Sequence, residues 1–233
     1  MSANERVCTH ANLNRVDESQ RDVWDETWVS RRGVTSYEHK WYAFLSQFTA
    51  KKRVLEAGCG SGRGLAVFSK SYVIGLDSSL DAIRCSRKNL RGHKNYDLIL
   101  GDVRYLPFRS ASFDLVFNSG VIEHLKPEED VIVAKEMLRV TEPRGTVVVS
   151  VPNLLCLWYI LGKCLFKLFG KWKYGFERAY TPSKLKGLFR EAGLNITQFC
   201  GILLFPLPLL ANLGEKFKFL KSFCYAIVIV GRK

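Results

Sequence analysis

From residue 54 to residue 151 the chain alternates short apolar runs with longer amphipathic stretches. Runs such as Tyr72-Val73-Ile74-Gly75-Leu76 and Phe113-Asp114-Leu115-Val116-Phe117-Asn118 are short and apolar on both faces, the pattern of strands buried within a sheet. Strands are therefore expected over 54–57, 72–76, 96–100, 113–118 and 145–151. A helix-compatible sequence over 65–70 follows the first strand. Ser78 to Asp81 has capping-box spacing and opens a second helix that reaches about Leu90. Lys126-Pro127-Glu128-Glu129-Asp130 starts a third, with proline early and acids in the first turn, and this helix ends near Val140. Ahead of the first strand, 16–30 and 36–48 also read as helices. They carry Trp24 and Trp28, then Tyr37, Trp41, Tyr42, Phe44 and Phe48. Two roles are open to these aromatics: a lid over a cofactor, or packing onto the sheet edge.

The chain is organised around Glu56-Ala57-Gly58-Cys59-Gly60-Ser61-Gly62-Arg63-Gly64, where the first strand gives way to a helix. Glycine at 58, 60 and 62 lets the backbone turn sharply and lie against a ligand, because no Cβ stands in the way. The spacing is not the dinucleotide fingerprint, which needs glycine at 63 or 65, where Arg63 and Leu65 stand. A phosphate-cradling loop ending in Gly-Lys-Ser/Thr is absent as well. The second strand ends in Asp77, 19 residues past Gly58, where an acid can accept hydrogen bonds from both hydroxyls of a ribose. That acid points to a nucleoside-type cofactor without choosing one. A glycine-rich turn of some other doubly wound domain, and a plain acid at a helix start, are the competing readings.

Length and composition narrow the field. A chain of 233 residues that is 47% apolar suits one α/β domain with a substantial core. The polar start, Met1-Ser2-Ala3-Asn4-Glu5-Arg6, lacks the apolar segment of a secretory signal. The longest apolar stretches, 154–169 and 201–213, are broken by Lys163 and Lys167 and by Pro206 and Pro208, so neither is expected to cross a membrane. Seven cysteines with no CxxC pair argue for reduced thiols in a cytoplasm and against a zinc site. The formal charge of +13 points toward nucleic acid or an anionic membrane, unless it only keeps the surface solvated.

Later motifs extend the pattern in order: Gly101-Asp102, Leu106-Pro107-Phe108, Phe113-Asp114-Leu115-Val116, Glu123-His124-Leu125 and Leu138-Arg139-Val140. Together with the glycine loop they resemble the class I S-adenosylmethionine-dependent methyltransferases, in the ubiquinone/menaquinone-biosynthesis-type branch. The likeness is tight over about 50–153 and looser over 177–193, where Tyr180-Thr181-Pro182 opens a helix. It implies a Rossmann-like, doubly wound, seven-stranded sheet, mostly parallel with an antiparallel last strand, the final hairpin falling at 195–201 and 223–230. The expected organisation is a single domain: a helical lid over 1–50, a cofactor-binding core over 51–153, an apolar and basic insertion over 154–180, and a helix and hairpin over 181–233. By the same resemblance S-adenosyl-L-methionine is the cofactor. Glu56, Gly58, Cys59, Gly60 and Gly62 would hold its methionine part, Asp77 with Ser78 its ribose, and Asp102 with Val103 its adenine, while Asn118 and Ser119 line the floor near the sulfonium. His124 is the one histidine near this set. It is a candidate base for a hydroxyl acceptor, or a residue that holds the turn after the strand.

Three functions remain open. The first is methylation of a small, lipophilic acceptor. The second is methylation of a modified nucleoside in RNA, which the charge encourages. Against it, 118–121 reads Asn-Ser-Gly-Val and lacks the Asn/Asp-Pro-Pro-aromatic signature of base amino methylation. The third is a cofactor-binding regulatory partner without catalysis. The insertion adds a last expectation. Lys163, Lys167 and Lys171 are spaced by four and would form one basic stripe on a helix, with Leu157, Leu161, Leu165 and Leu168 around the rest. Such a helix lies in an anionic membrane interface, or covers substrate with its apolar face against the sheet. A second apolar patch over 202–213, followed by Lys216, Lys218 and Lys221, would join it.

Overall fold

The computed structural model of the chain describes residues 7–9, 18–30, 33–203 and 218–233. The strands are β1 Val7–Thr9, β2 Arg53–Ala57, β3 Tyr72–Asp77, β4 Tyr96–Leu100, β5 Phe113–Ser119, β6 Thr141–Pro152, β7 Asn195–Ile202 and β8 Ala226–Arg232. They form one sheet in the order β1-β4-β3-β2-β5-β6-β8-β7. Every pairing is parallel except those of β8, which runs antiparallel to both β6 and β7. The seven expected strands are all present. The eighth, β1, adds an edge that the polar N-terminal sequence did not announce.

Alternation along each strand divides the core. Leu55, Ile74, Val116 and Val147 point to one face, where they meet Met137, Leu185 and Phe189. Val54, Val73, Leu115 and Val148 point to the other, against Trp41, Leu45, Phe68 and Ile83. The helices supplying these contacts are α2 Ser36–Leu45, α4 Leu80–Asn89, α5 Glu129–Val140 and α7 Pro182–Glu191. Helix starts follow capping chemistry. Thr35 caps α2 in a reciprocal box with Glu38, and Thr181 caps α7 by accepting from Lys184 N, with Pro182 in the first turn. At α4 the cap is Ser79 rather than the expected Ser78, because it is the Ser79 hydroxyl that meets Ala82 N. The helix expected over 65–70 shortens to α3 Arg63–Ala66, since Phe68 and Ser71 close tight turns into β3.

Two buried polar anchors set the path after β6. Asn153, wholly buried, donates to the Ser222 and Cys224 carbonyls and accepts from Leu155 N, which fixes the entry to α6 Leu157–Leu168. Further on, Asp130 of α5 accepts from Arg178 and from Tyr180, both at 2.7 Å. That pins the connector between α6 and α7 to the core.

The hairpin closing the sheet is packed without slack. A Cβ at Gly231 of β8 would stand 2.4 Å from Leu194 Cγ and 2.8 Å from the Asn195 carbonyl oxygen. Gly231→Val is expected to destabilise the protein by about 1–3 kcal/mol, read as a lowered urea midpoint. An unchanged midpoint would show that the hairpin yields at this position.

Candidate active site

The order β3-β2-β5 reverses the direction of winding at β2, and a crevice opens outside the carboxyl ends of these strands. The loop leaving β2 is bent by left-handed backbone at Gly58, Gly60 and Gly62, with φ of +83°, +49° and +69°. Gly58 N and Cys59 N both donate to the Leu76 carbonyl, folding the loop over the end of β3. Asp77 completes the tie. One carboxylate oxygen accepts from Gly60 N at 2.8 Å and the other from Ser79 N at 3.0 Å. Burial pushes this carboxyl up to about 6 despite those amides.

A cavity of about 770 Å³ fills the crevice. Glu56, Gly58, Cys59, Gly60, Asp77, Ser78, Asp102, Val103, Ser119 and His124 all reach its wall, so the sequence-predicted residues converge on one space. Gly62 and Asn118 do not. Gly62 lies behind the loop against Ser86, and Asn118 is wholly buried and donates to the Ala57 carbonyl at 2.7 Å. Asn118 thus braces β5 against β2 from inside the sheet. Glu56 Oε2 is buried without a hydrogen-bond partner, and burial pushes the carboxyl well above its usual range. Asp102 is held by its neighbour: the Arg104 guanidinium contacts both carboxylate oxygens and also pairs with Glu129.

His124 is tied into a turn. Its Nδ1 donates to the Phe176 carbonyl at 2.7 Å, its ring meets Trp24 edge-on, and burial holds it down to about 4. The imidazole is neutral at physiological pH, with Nδ1–H committed to the connector over the cavity. Trp24 and Trp28 of α1 Glu18–Ser30 also line the cavity, and a Cβ on Gly60 would strike the Trp28 ring at 2.4 Å. Trp41 reaches the same cavity but is otherwise buried in the core, stacked on Phe44.

The far end of the cavity was not visible in the sequence. Tyr37 bridges the hydroxyls of Ser119 and Ser150, both at 2.8 Å. Tyr225 packs edge-on against Tyr37 and Tyr159. Tyr159 donates to Glu177, whose carboxylate also meets Lys163 at 2.9 Å. Among these groups lies Glu123, 1% exposed, with Oε2 unpartnered. Burial pushes it up to about 8. These residues come from six separate parts of the chain, and no local spacing joins those parts.

Lys163 corrects the expected basic stripe. It points inward to Glu177 and Trp172, because Tyr159 and Lys163 share the inner face of α6, and α6 ends before Lys171. The second apolar patch lies mostly outside the described residues.

Comparison with known proteins agrees with this geometry. The sheet order with its reversed β8, and the glycine loop at the end of β2, are similar to those of class I S-adenosylmethionine-dependent methyltransferase domains. Residues 55–149 match the family model of the methyltransferase domain. A probable S-adenosylmethionine-dependent methyltransferase of Mycolicibacterium smegmatis is 36% identical over 114 residues, 48% of this chain and 42% of that one. A fatty-acid O-methyltransferase of the same organism is 38% identical, over 40% and 35% of the two chains. A tRNA (carboxymethyluridine(34)-5-O)-methyltransferase of Arabidopsis thaliana is 32% identical, over 47% and 26%. The matched stretch spans less than half of each of these relatives. Among solved structures, an S-adenosylmethionine-dependent methyltransferase of Methanosarcina mazei superposes with a TM-score of 0.58 at 20% identity, covering 78% of this chain and 92% of that one. The [4+2]-cyclase SpnF reaches 0.61 at 16%, covering 88% and 84%. Likeness at that level establishes the fold alone.

The raised Glu123 carboxyl has a consequence for stability. Its value rises from about 4.5 unfolded to about 8 folded, so its contribution is full below about 4.5 and is lost as pH rises through 8. Asp77 and Glu177, raised to about 6 and about 7, act in the same direction. Urea midpoints of the wild type should therefore fall between pH 5 and pH 8.5, and Glu123→Gln should flatten the decline. Equal slopes for the two proteins would place Glu123 in contact with solvent.

Proposed function

We propose that the protein is an S-adenosylmethionine-dependent methyltransferase acting on a small, lipophilic acceptor. One observation carries this reading: a single cavity joins the glycine loop and Asp77 at one end to an aromatic wall with one unpartnered buried carboxyl, Glu123, at the other. The glycine cradle and the orphaned Glu56 Oε2 fit the cationic methionine end of the cofactor. Glu56, Gly58, Cys59 and Gly60 would hold that end, with Gly62 shaping the loop from behind. Each Asp77 oxygen keeps lone-pair capacity beyond its backbone amide, enough to accept from the ribose hydroxyls beside Ser78. Asp102, already oriented by Arg104, would share its carboxylate with the adenine amine next to Val103.

The cofactor, when bound, supplies a methyl group on a sulfonium whose departing thioether is neutral. What the chain contributes is alignment, which can supply roughly 7–11 kcal/mol. Ser119 and Gly120 border the space between the two ends, and Tyr37 fixes Ser119 there. Glu123 would hydrogen-bond the polar group of the acceptor, while Tyr159, Tyr225 and Trp158 contact its apolar body. His124 positions the wall through Phe176 and is too weakly basic to serve as the main proton acceptor. The ubiquinone/menaquinone-type likeness of its motifs, and the fatty-acid O-methyltransferase relative, favour a lipophilic acceptor. Cys59, Cys85, Cys156, Cys164 and Cys200 are free thiols, and we place the protein in the cytoplasm.

A second reading, methylation of a modified nucleoside in RNA, draws on the charge of +13 and the tRNA methyltransferase relative. Methyl transfer from labelled cofactor into a cell extract, separated into lipid, RNA and protein fractions, decides between them. Label in the lipid fraction is expected; label in RNA would select the second reading. Cofactor binding without incorporation anywhere would leave a regulatory partner. Asp77→Ala should weaken S-adenosylmethionine binding by at least about tenfold in calorimetry, since each lost charged hydrogen bond is worth about 1.5–3 kcal/mol. Unchanged affinity would remove Asp77 from the site.

A further inference from the structure

Helix α6 is built inside out. Tyr159, Ile160 and Lys163 face the protein, and Lys163 is held there by Glu177. The opposite face is large, apolar and open: Leu157 is 62% exposed, Leu165 54%, Leu168 78%, and Phe169 just beyond the helix 68%. Patches of this kind on a folded chain mark an interaction surface. Charge indicates which kind. No acidic residue occurs between Glu142 and Glu177, while Lys167, Lys171 and Lys173 are all exposed near the apolar ridge, the last two at the rim of the cavity.

We propose that this face docks on an anionic membrane surface, with α6 lying in the plane of the headgroups. A helix of 12 residues is about 18 Å long, and no helix among the described residues is long and apolar enough to cross a membrane. An in-plane helix instead buries an apolar face to headgroup depth and sets its lysines against anionic lipid. The turning inward of Lys163 serves this arrangement, because it clears a charge from the ridge. Trp158 and Phe166 belong to both the exposed face and the cavity wall. An apolar acceptor would then pass from the lipid layer into the cavity without crossing water. That last step rests on the proposed function; the docking does not.

The test is co-sedimentation with phosphatidylcholine vesicles, with and without phosphatidylserine, at low and high salt. The wild type should bind the anionic vesicles, bind neutral ones less, and release as salt rises. Leu165→Glu with Phe169→Glu touches no cavity residue; it should lower partitioning by at least about tenfold and leave cofactor binding unchanged. Changing Lys167, Lys171 and Lys173 together to glutamate should lower it by a similar factor through lost attraction to the anionic lipid. The proposal is overturned if the wild type ignores anionic vesicles at low salt, or if the apolar pair of changes has no effect. It is equally overturned if the wild type is a dimer that the apolar changes dissolve without any vesicle binding, or if the lysine changes abolish RNA binding instead. Because no readout involves methyl transfer, failure here is distinct from failure of the proposed function.

Discussion

Asp77 is the knot of this structure. A carboxylate buried at the end of β3 accepts from the amide of the β2 loop and from the amide that begins α4, so two adjacent crossovers are tied to one side chain. Burial still dominates: a rise from 3.8 to about 6 is worth about 3 kcal/mol against the charged form. A group under that tension gains from any further donor that reaches it. The loop geometry that supplies the first amide also presents the carboxylate to the cavity. Fold and site therefore share one constraint.

The sequence showed this half of the molecule clearly. Strands buried on both faces leave unbroken apolar runs, glycines mark a left-handed loop, and an acid closes the next strand, all within local windows. Glu56, Gly58, Gly60 and Asp77 were legible for that reason. Asn118 was placed correctly on β5 but not in its role, because alternation along a strand decides the face and its amide turned toward Ala57. Ser79 rather than Ser78 caps α4, a one-residue shift that spacing alone does not settle.

The acceptor end was illegible for a physical reason. Tyr37, Ser150, Tyr159, Glu177 and Tyr225 meet only because the sheet order brings α2, β6, α6 and the approach to β8 to one place. In α6 the helix was expected, but the reading that turned its apolar face to the sheet fails, since the leucines are exposed. Apolar spacing predicts a helix, but not which face the core takes. Here Glu177 and the ring of Trp172 draw Lys163 inside, and the leucines are left outside. Tertiary partners decided the orientation.

On the proposed function, cofactor and acceptor meet near Ser119 in one two-ended cavity, with Asp77 fixing the nucleoside. A crystal structure of the protein with S-adenosylhomocysteine tests this most directly. The ribose hydroxyls should lie within hydrogen-bond distance of Asp77, the adenine beside Asp102 and Val103, and the sulfur should point toward Ser119 with the space near Glu123 still open. A ligand bound elsewhere, or an Asp77 that keeps only its two backbone amides, would contradict it.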